Sequence, residues 1–331
     1  MKTSSRLFQI IARVSTAALL LTLIAALPAS AVAASTPAAA PDPGQGLEIS
    51  PPVLELNANP GQTITVTLSL RDITSGPLVV TSKADDFGAK DETGNPEILL
   101  DETGATRYSL KYWFPTLPLL TLQSQQQQKI SIPIVVPANA EPGGHYGVIR
   151  FTGLPPNISS TGVSLSASLG VLVLLRVAGT ITEHLTDVQF FASQNGHTSG
   201  FFEYGPITLS ERIRNTGDVH VQPVGYVSVY DMFGRRIDKV PVSNPTHNIL
   251  PDSIRRFDQT LSQRYLFGPY HASYTVVYGE SKQQLSASMV FWVIPWRLII
   301  IVLVALIALI FLIRTGIRRY NRYIIRRAGR R

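Results

Sequence analysis

Thr63-Ile64-Thr65-Val66-Thr67-Leu68-Ser69-Leu70 alternates polar and branched apolar residues without a break. Successive side chains of a strand point to opposite faces, so Ile64, Val66, Leu68 and Leu70 make one buried face and the hydroxyl residues one wet face. The turn Asn59-Pro60-Gly61-Gln62 opens this strand. Outward from it, short runs rich in Val, Ile, Thr and Leu are broken by Pro, Gly, Asn and Asp, which is the pattern of antiparallel β-sandwiches. The runs predict strands over 47–56, 63–70, 78–86, 108–114, 129–136, 145–152 and 164–177. A second set is predicted over 182–191, 206–214, 221–230, 235–240, 253–261, 270–278 and 284–292. The fold class expected is all-β: two tandem immunoglobulin-like sandwiches, 47–179 and 180–292, followed by one transmembrane helix.

The ends of the chain place these sheets. Residues 298–313 are uncharged, and the tail at 314–331 holds eight arginines and no acid. With Trp292, Trp296 and Arg297 at one interface and Arg314, Arg318 and Arg319 at the other, 293–313 reads as a single span with a cytoplasmic tail. Lys2, Arg6 and Arg13 precede an apolar run and small residues near Ala31, so 1–31 reads as a signal peptide, cleaved or kept as an anchor. Residues 34–46, mostly Ala, Pro, Thr, Asp and Gly, read as a flexible leader. The expected placement is therefore single-pass type I in a cell membrane, with the sheets outside and lipid met through one helix.

Charge sorted by compartment excludes one function class. Of 29 Lys and Arg, three lie in the signal, one is Arg297 and eight are in the tail, leaving 17 against 22 acids; the outer part is net −5 and nucleic-acid binding is disfavoured. The chain has no cysteine, so an exported protein of this length is held together by burial alone, as many bacterial ones are.

The two halves share a weak pattern. Val136-Pro137 followed by Gly143-Gly144-His145-Tyr146 parallels Leu250-Pro251 followed by Gly268-Pro269-Tyr270, each with a tyrosine that reads as a corner residue or as a half-buried strand residue. The 59–62 turn, the 137–149 segment with its Gly-Gly-x-Tyr-Gly core, the second sandwich, the single helix and the basic tail together resemble bacterial WxL-interacting surface proteins. That resemblance implies a first module that binds peptidoglycan and a second that contacts a partner or host.

The six histidines show no H-x-x-x-H spacing, and neither a G-x-S-x-G nor a P-loop is present, so no enzyme is expected. No cofactor is expected either, with one alternative. The acidic stretch with Asp85, Asp86, Asp91 and Glu92, continued by Glu97, Asp101 and Glu102, reads as a solvated loop or as a calcium site. Tyr112, Trp113 and Phe114 read as core plugs or as a platform for glycan or protein. Arg255 and Arg256, with Arg212, Arg214, Arg235 and Arg236, read as scattered surface pairs or as a face for acidic polymers. The leading expectation is a surface protein binding cell-wall polymer or another surface protein. The alternative is an assembly factor that holds exported proteins by adding strands to a sheet edge.

Overall fold

The computed structural model describes residues 46–328 apart from 101–103, 155–166 and 244–246. The expected signal peptide and all of the leader but Gly46 lie outside the described residues, as do Asp101, Glu102 and the start of the strand expected at 164–177.

Four sheets enclose two large apolar cores, and Phe87, Tyr146, Val148 and Leu174 form a third, smaller cluster. The alternating stretch at 63–70 lies in β3 (Thr63–Asp72), the middle of a sheet with β1 (Leu47–Ser50) and β7 (Gln127–Val135). Opposite lies a sheet in the order β2 (Val53–Ala58), β9 (Ala167–Val177), β8 (Gly143–Leu154), β4 (Leu78–Ala89), β5 (Pro96–Leu99), with β6 (Leu120–Leu122) also on β4. Val66, Leu68 and Leu70 of β3 and Ile130, Ile132 and Ile134 of β7 pack against Phe151, Val171, Val173 and Leu175, as the alternation requires.

The C-terminal pair of sheets repeats the plan. One contains β11 (His197–Thr198), β10 (Leu185–Gln194), β13 (Ile207–Asn215) and β16 (Ile254–Leu261). The other runs β12 (Phe201–Phe202), β18 (Gln283–Val293), β17 (Gly268–Tyr278), β14 (Val224–Tyr230), β15 (Arg236–Pro241). Tyr274, Phe291 and Ile207 are among the fully buried side chains between them.

Three expectations are corrected. The single strand over 47–56 is two strands, because Pro51 and Pro52 interrupt the ladder; β1 pairs antiparallel with β3 and β2 pairs parallel with β9, so the chain changes sheets there. The strand over 108–114 is instead a 3-10 turn at Lys111–Trp113. Its backbone needs no strand neighbour, since the Asp86 carboxylate accepts from the N–H groups of Leu110 and Lys111, both at 3.0 Å, and from the Ser109 hydroxyl. The span expected at 293–313 begins later, because Val293 still belongs to β18 and the Ile294 N–H donates to the Phe202 carbonyl. The helix α1 (Trp296–Ala328) follows Pro295, whose carbonyl accepts from the Ile299 N–H.

Within α1, Trp296–Arg319 contains an 18-residue window with a mean hydropathy of 3.1, none of it buried. Its 24 residues are about 36 Å long at ~1.5 Å each, enough for a roughly 30 Å hydrocarbon core. It is compatible with a membrane anchor.

Candidate functional site

The four acids offered as a calcium site do not converge. Asp85 is paired with Arg150 at 3.0 Å and with Lys83 at 3.4 Å, and Asp86 is engaged by the 108–111 backbone and by Lys111 at 3.4 Å. Asp91 turns onto the backbone and hydroxyl of Thr93, which hold its carboxyl below the usual carboxylate range. Glu92 reaches the other pair of sheets, where the Arg212 guanidinium donates to both its oxygens and lowers its pKa. Among the described residues no three His, Asp or Glu side chains are placed to hold a metal ion. The reason is that each acid already has a cation or N–H groups to neutralise it.

The aromatic triplet is likewise divided. Phe114 is buried in the first core, Trp113 packs against that core and lies 4.3 Å from the His145 ring, and Tyr112 alone is exposed. A 3-10 turn spaces successive side chains about a third of a turn apart, so three neighbours cannot present one stacking face. The arginines also separate: Arg212 pairs with Glu92, Arg235 with Asp231 and Arg256 with Asp258.

Arg255 differs from these. Its guanidinium donates to the Asn248 carbonyl at 2.8 Å, and it lines a cavity of about 340 Å³ between the two pairs of sheets. Val53, Phe87, Leu172 and Leu174 form one wall, and Asn248 and Leu250 stand opposite. Gly94, at φ +80°, closes the loop over Arg255 where any Cβ would strike the guanidinium. A second, polar groove of about 700 Å³ holds Asn59 and Gln62 of the opening turn beside Arg176, Glu183 and Glu280.

Polar bonds tie the two pairs of sheets together around these cavities. The Tyr146 hydroxyl accepts from the His220 N–H at 2.8 Å, the Tyr108 hydroxyl donates to Asp252 at 3.0 Å, and the Gly144 N–H donates to the Asp218 carbonyl at 2.8 Å. Glu55 accepts from Gln222 and Asn248, at 3.1 and 2.6 Å. Burial lowers the His220 pKa to about 4, so the imidazole stays neutral at this junction.

The sheet edges hold the feature of most chemical consequence. On β18 the N–H groups of Trp292 and Ile294 donate outward, to Gly200 and Phe202. The register with β17 is unbroken from Gln283 to Val293, so the same even positions, Gln284, Ser286, Ser288 and Val290, aim their N–H and C=O groups over the free edge. β12 covers only Trp292 and Val293. The result is an open edge over 283–290 without charge or proline, whose odd side chains Leu285, Ala287 and Met289 pack on the core while the even ones are exposed.

β9 repeats this on a smaller scale. The N–H groups of Leu172 and Ala178 donate to Pro52 and Ala58, and β2 starts only at Leu172, so Ser168 and Gly170 face an edge with no strand beyond among the described residues. Most other free edges are blunted. β7 carries Lys129 and Pro133, β15 carries Arg236, Lys239 and Pro241, β16 carries Arg255, Arg256 and Asp258, β2 carries Glu55, and β1, β5, β6, β11 and β12 have four residues or fewer. Two further stretches have no strand beyond them among the described residues: Thr63–Leu68 of β3, also without charge or proline, because β1 pairs only with Ser69–Asp72, and Leu185–Ala192 of β10, which carries Asp187, because β11 pairs only with Ser193 and Gln194. The composition of 283–290 hinted at this in the sequence, but charge-free strands are also common in sheet interiors. Only the pairing shows which ones are left open.

No family model matches the chain, and no curated protein does. Among solved structures it is similar to the class 5 fimbriae chaperone CfaA, with TM-score 0.40 and 13% identity over 73% of this chain and 98% of that one. It is also similar to the YadV chaperone, with TM-score 0.37 and 13% identity over 73% and 99%, and to the E. coli chaperone DraB, with TM-score 0.34 and 14% identity over 74% and 97%.

Proposed function

We propose that this chain is a single-pass, type I protein of a bacterial surface, built of two immunoglobulin-like modules, that holds an extended segment of another exported or surface protein by strand addition and does no catalysis. The observation that carries this reading is the open edge of β18, where four successive outward-facing residues offer paired N–H and C=O groups. An extended peptide laid there gains a ladder of main-chain hydrogen bonds, each worth about 1 kcal/mol net. Proteins protect such edges with charge, proline or shortness, as β7, β15 and β16 are protected here, and residues 283–290 of β18 have none of these. The basic N-terminal segment and the eight arginines after the span support the orientation.

A protein partner fits this geometry better than a wall polymer, because strand addition reads a polypeptide backbone and Trp113 and Phe114 are turned inward instead of forming a sugar platform. A partner protein is also what the resemblance to WxL-interacting proteins implies for the second module.

Ser286→Pro is the direct test. The Ser286 N–H points away from β17, so proline there removes no ladder bond of the native sheet, yet it denies a donor to an added strand. With a photoreactive residue at Ser288 of the full chain in cell membranes, cross-links are expected to map to one extended stretch of an exported protein. They are expected to fall about five- to thirtyfold in the proline variant, the loss of about 1–2 kcal/mol of ladder bonding. Cross-links unchanged by Ser286→Pro, or formed to glycan, would remove this reading.

A further inference from the structure

Large aromatic groups gather at one end of the C-terminal pair of sheets. Gly268 pairs with Val293, Tyr230 with His271 and Ile207 with Leu261, which brings the turn at 231–235 and the segments 262–267 and 199–206 to the end where β18 runs into α1. Met232 confirms the closeness, since its Cε is what a Cβ on Gly268 would strike. On these loops Tyr265 is 91% exposed, Phe233 82%, Phe201 68% and Phe267 61%. Apart from Tyr112 and Tyr226, every exposed aromatic side chain in the described strands and loops lies at this end, including Trp292 beside Phe201. The opposite end of β17 and β18 turns through Gly279-Glu280-Ser281-Lys282, with no apolar group.

We infer that this aromatic end is seated in the headgroup layer of the leaflet from which α1 starts, so that the sheets rest on the bilayer instead of standing off it. The inference rests on the reading that α1 crosses a membrane. Only Ile294 and Pro295 separate β18 from α1, and two residues extend at most about 7 Å. If the apolar helix begins at the interface, loops level with Val293 have no room to stand clear of it. Phe and Tyr rings suit this layer, where an apolar body meets lipid and a polar tip meets water. Arg264, exposed, lies at the same end, where lipid phosphates would meet it, and so does Arg297, which is exposed and 3.5 Å from the Glu203 carboxylate.

The absence of native cysteine permits a clean test. Single variants Phe233→Cys, Tyr265→Cys, Tyr112→Cys and Leu306→Cys of the full chain, each with an environment-sensitive fluorophore, would be reconstituted in phosphatidylcholine and phosphatidylglycerol vesicles containing spin-labelled lipids. Labels at 233 and 265 are expected to be quenched by headgroup-level spin labels at least about threefold more than the label at 112, and the label at 306 by deep ones. Quenching at 306 with none at 233 and 265 would overturn the docked end while leaving the anchor intact. No quenching at 306 would overturn the anchor and the docking together. Shielding of 233 and 265 equally in lipid-free detergent, with cross-links to a second copy or another protein, would assign the surface to a protein contact and overturn the lipid assignment.

Discussion

Glu211→Gln is expected to raise stability at pH 7 by on the order of 3 kcal/mol, with a gain that grows as pH rises from about 5 to 9. Glu211 lies on the core face of β13 between Leu209 and Ile213, wholly buried. Burial raises its pKa to about 9, with Asp258 and Asp187 adding to the effect. Both its oxygens and the Oε1 of Gln259 accept no hydrogen bond among the described residues, while the Gln259 amide donates to the Val242 carbonyl at 2.6 Å. A proton on Glu211 supplies the donor that this cluster lacks.

The sign follows from proton counts. Below pH 4.5 both folded and unfolded chains hold the proton, and stability is at its fullest. Above 4.5 the unfolded chain releases it and the folded chain keeps it, so stability falls by about 1.4 kcal/mol per pH unit until about pH 9. His220 acts in the opposite sense. Its folded pKa of about 4 lies below the ordinary 6.5, so the unfolded chain takes up the proton over that window and stability rises with pH. His145, lowered by its burial, has the same sign. The slopes oppose one another up to about pH 6.5, and the decline from Glu211 shows above it. Thermal melts of the full chain in detergent at several pH values check this. A Glu211→Gln variant with the same melting temperature and the same pH profile as the parent would remove the assignment.

Asp86→Ala is expected to destabilise the N-terminal pair of sheets by about 3–5 kcal/mol. The Asp86 carboxylate is buried and gathers two backbone N–H groups, the Ser109 hydroxyl and the Lys111 ammonium around itself. Removing it leaves buried donors without this acceptor and frees the turn at Lys111–Trp113, which carries Trp113 onto His145. Asp86→Asn is expected to lose less, about 1–3 kcal/mol, because both N–H groups share Oδ1, which an amide oxygen can replace, while the amide nitrogen takes the place of Oδ2 and faces the Lys111 ammonium. Chemical unfolding monitored by tryptophan fluorescence reads both variants. A loss under about 1 kcal/mol in either would show that the carboxylate does not hold this turn.

The same residue shows what could be read from the chain and what could not. Asp86 in sequence is one of several acids in a glycine-bearing stretch, and that pattern suits a cation loop as well as a hydrogen-bond hub. Its role depends on residues 23 to 25 positions later, and no local period reports such a contact. The alternation in 63–70 was readable because burial of one strand face follows from that strand alone. The aromatics Phe201, Phe233, Tyr265 and Phe267 were unreadable as a group, being scattered over three loops that only the strand register brings together.

By itself the sequence determined the β class, the alternating core rows of β3 and β7, and an apolar helix of spanning length, since each depends on periodicity or hydropathy within one segment. The tertiary structure alone decided the change of sheets at Pro51 and Pro52, the dispersal of the acids into separate ion pairs and the open edge of β18. An edge is open or closed according to which other strand lies beside it, and a strand's own residues do not carry that information.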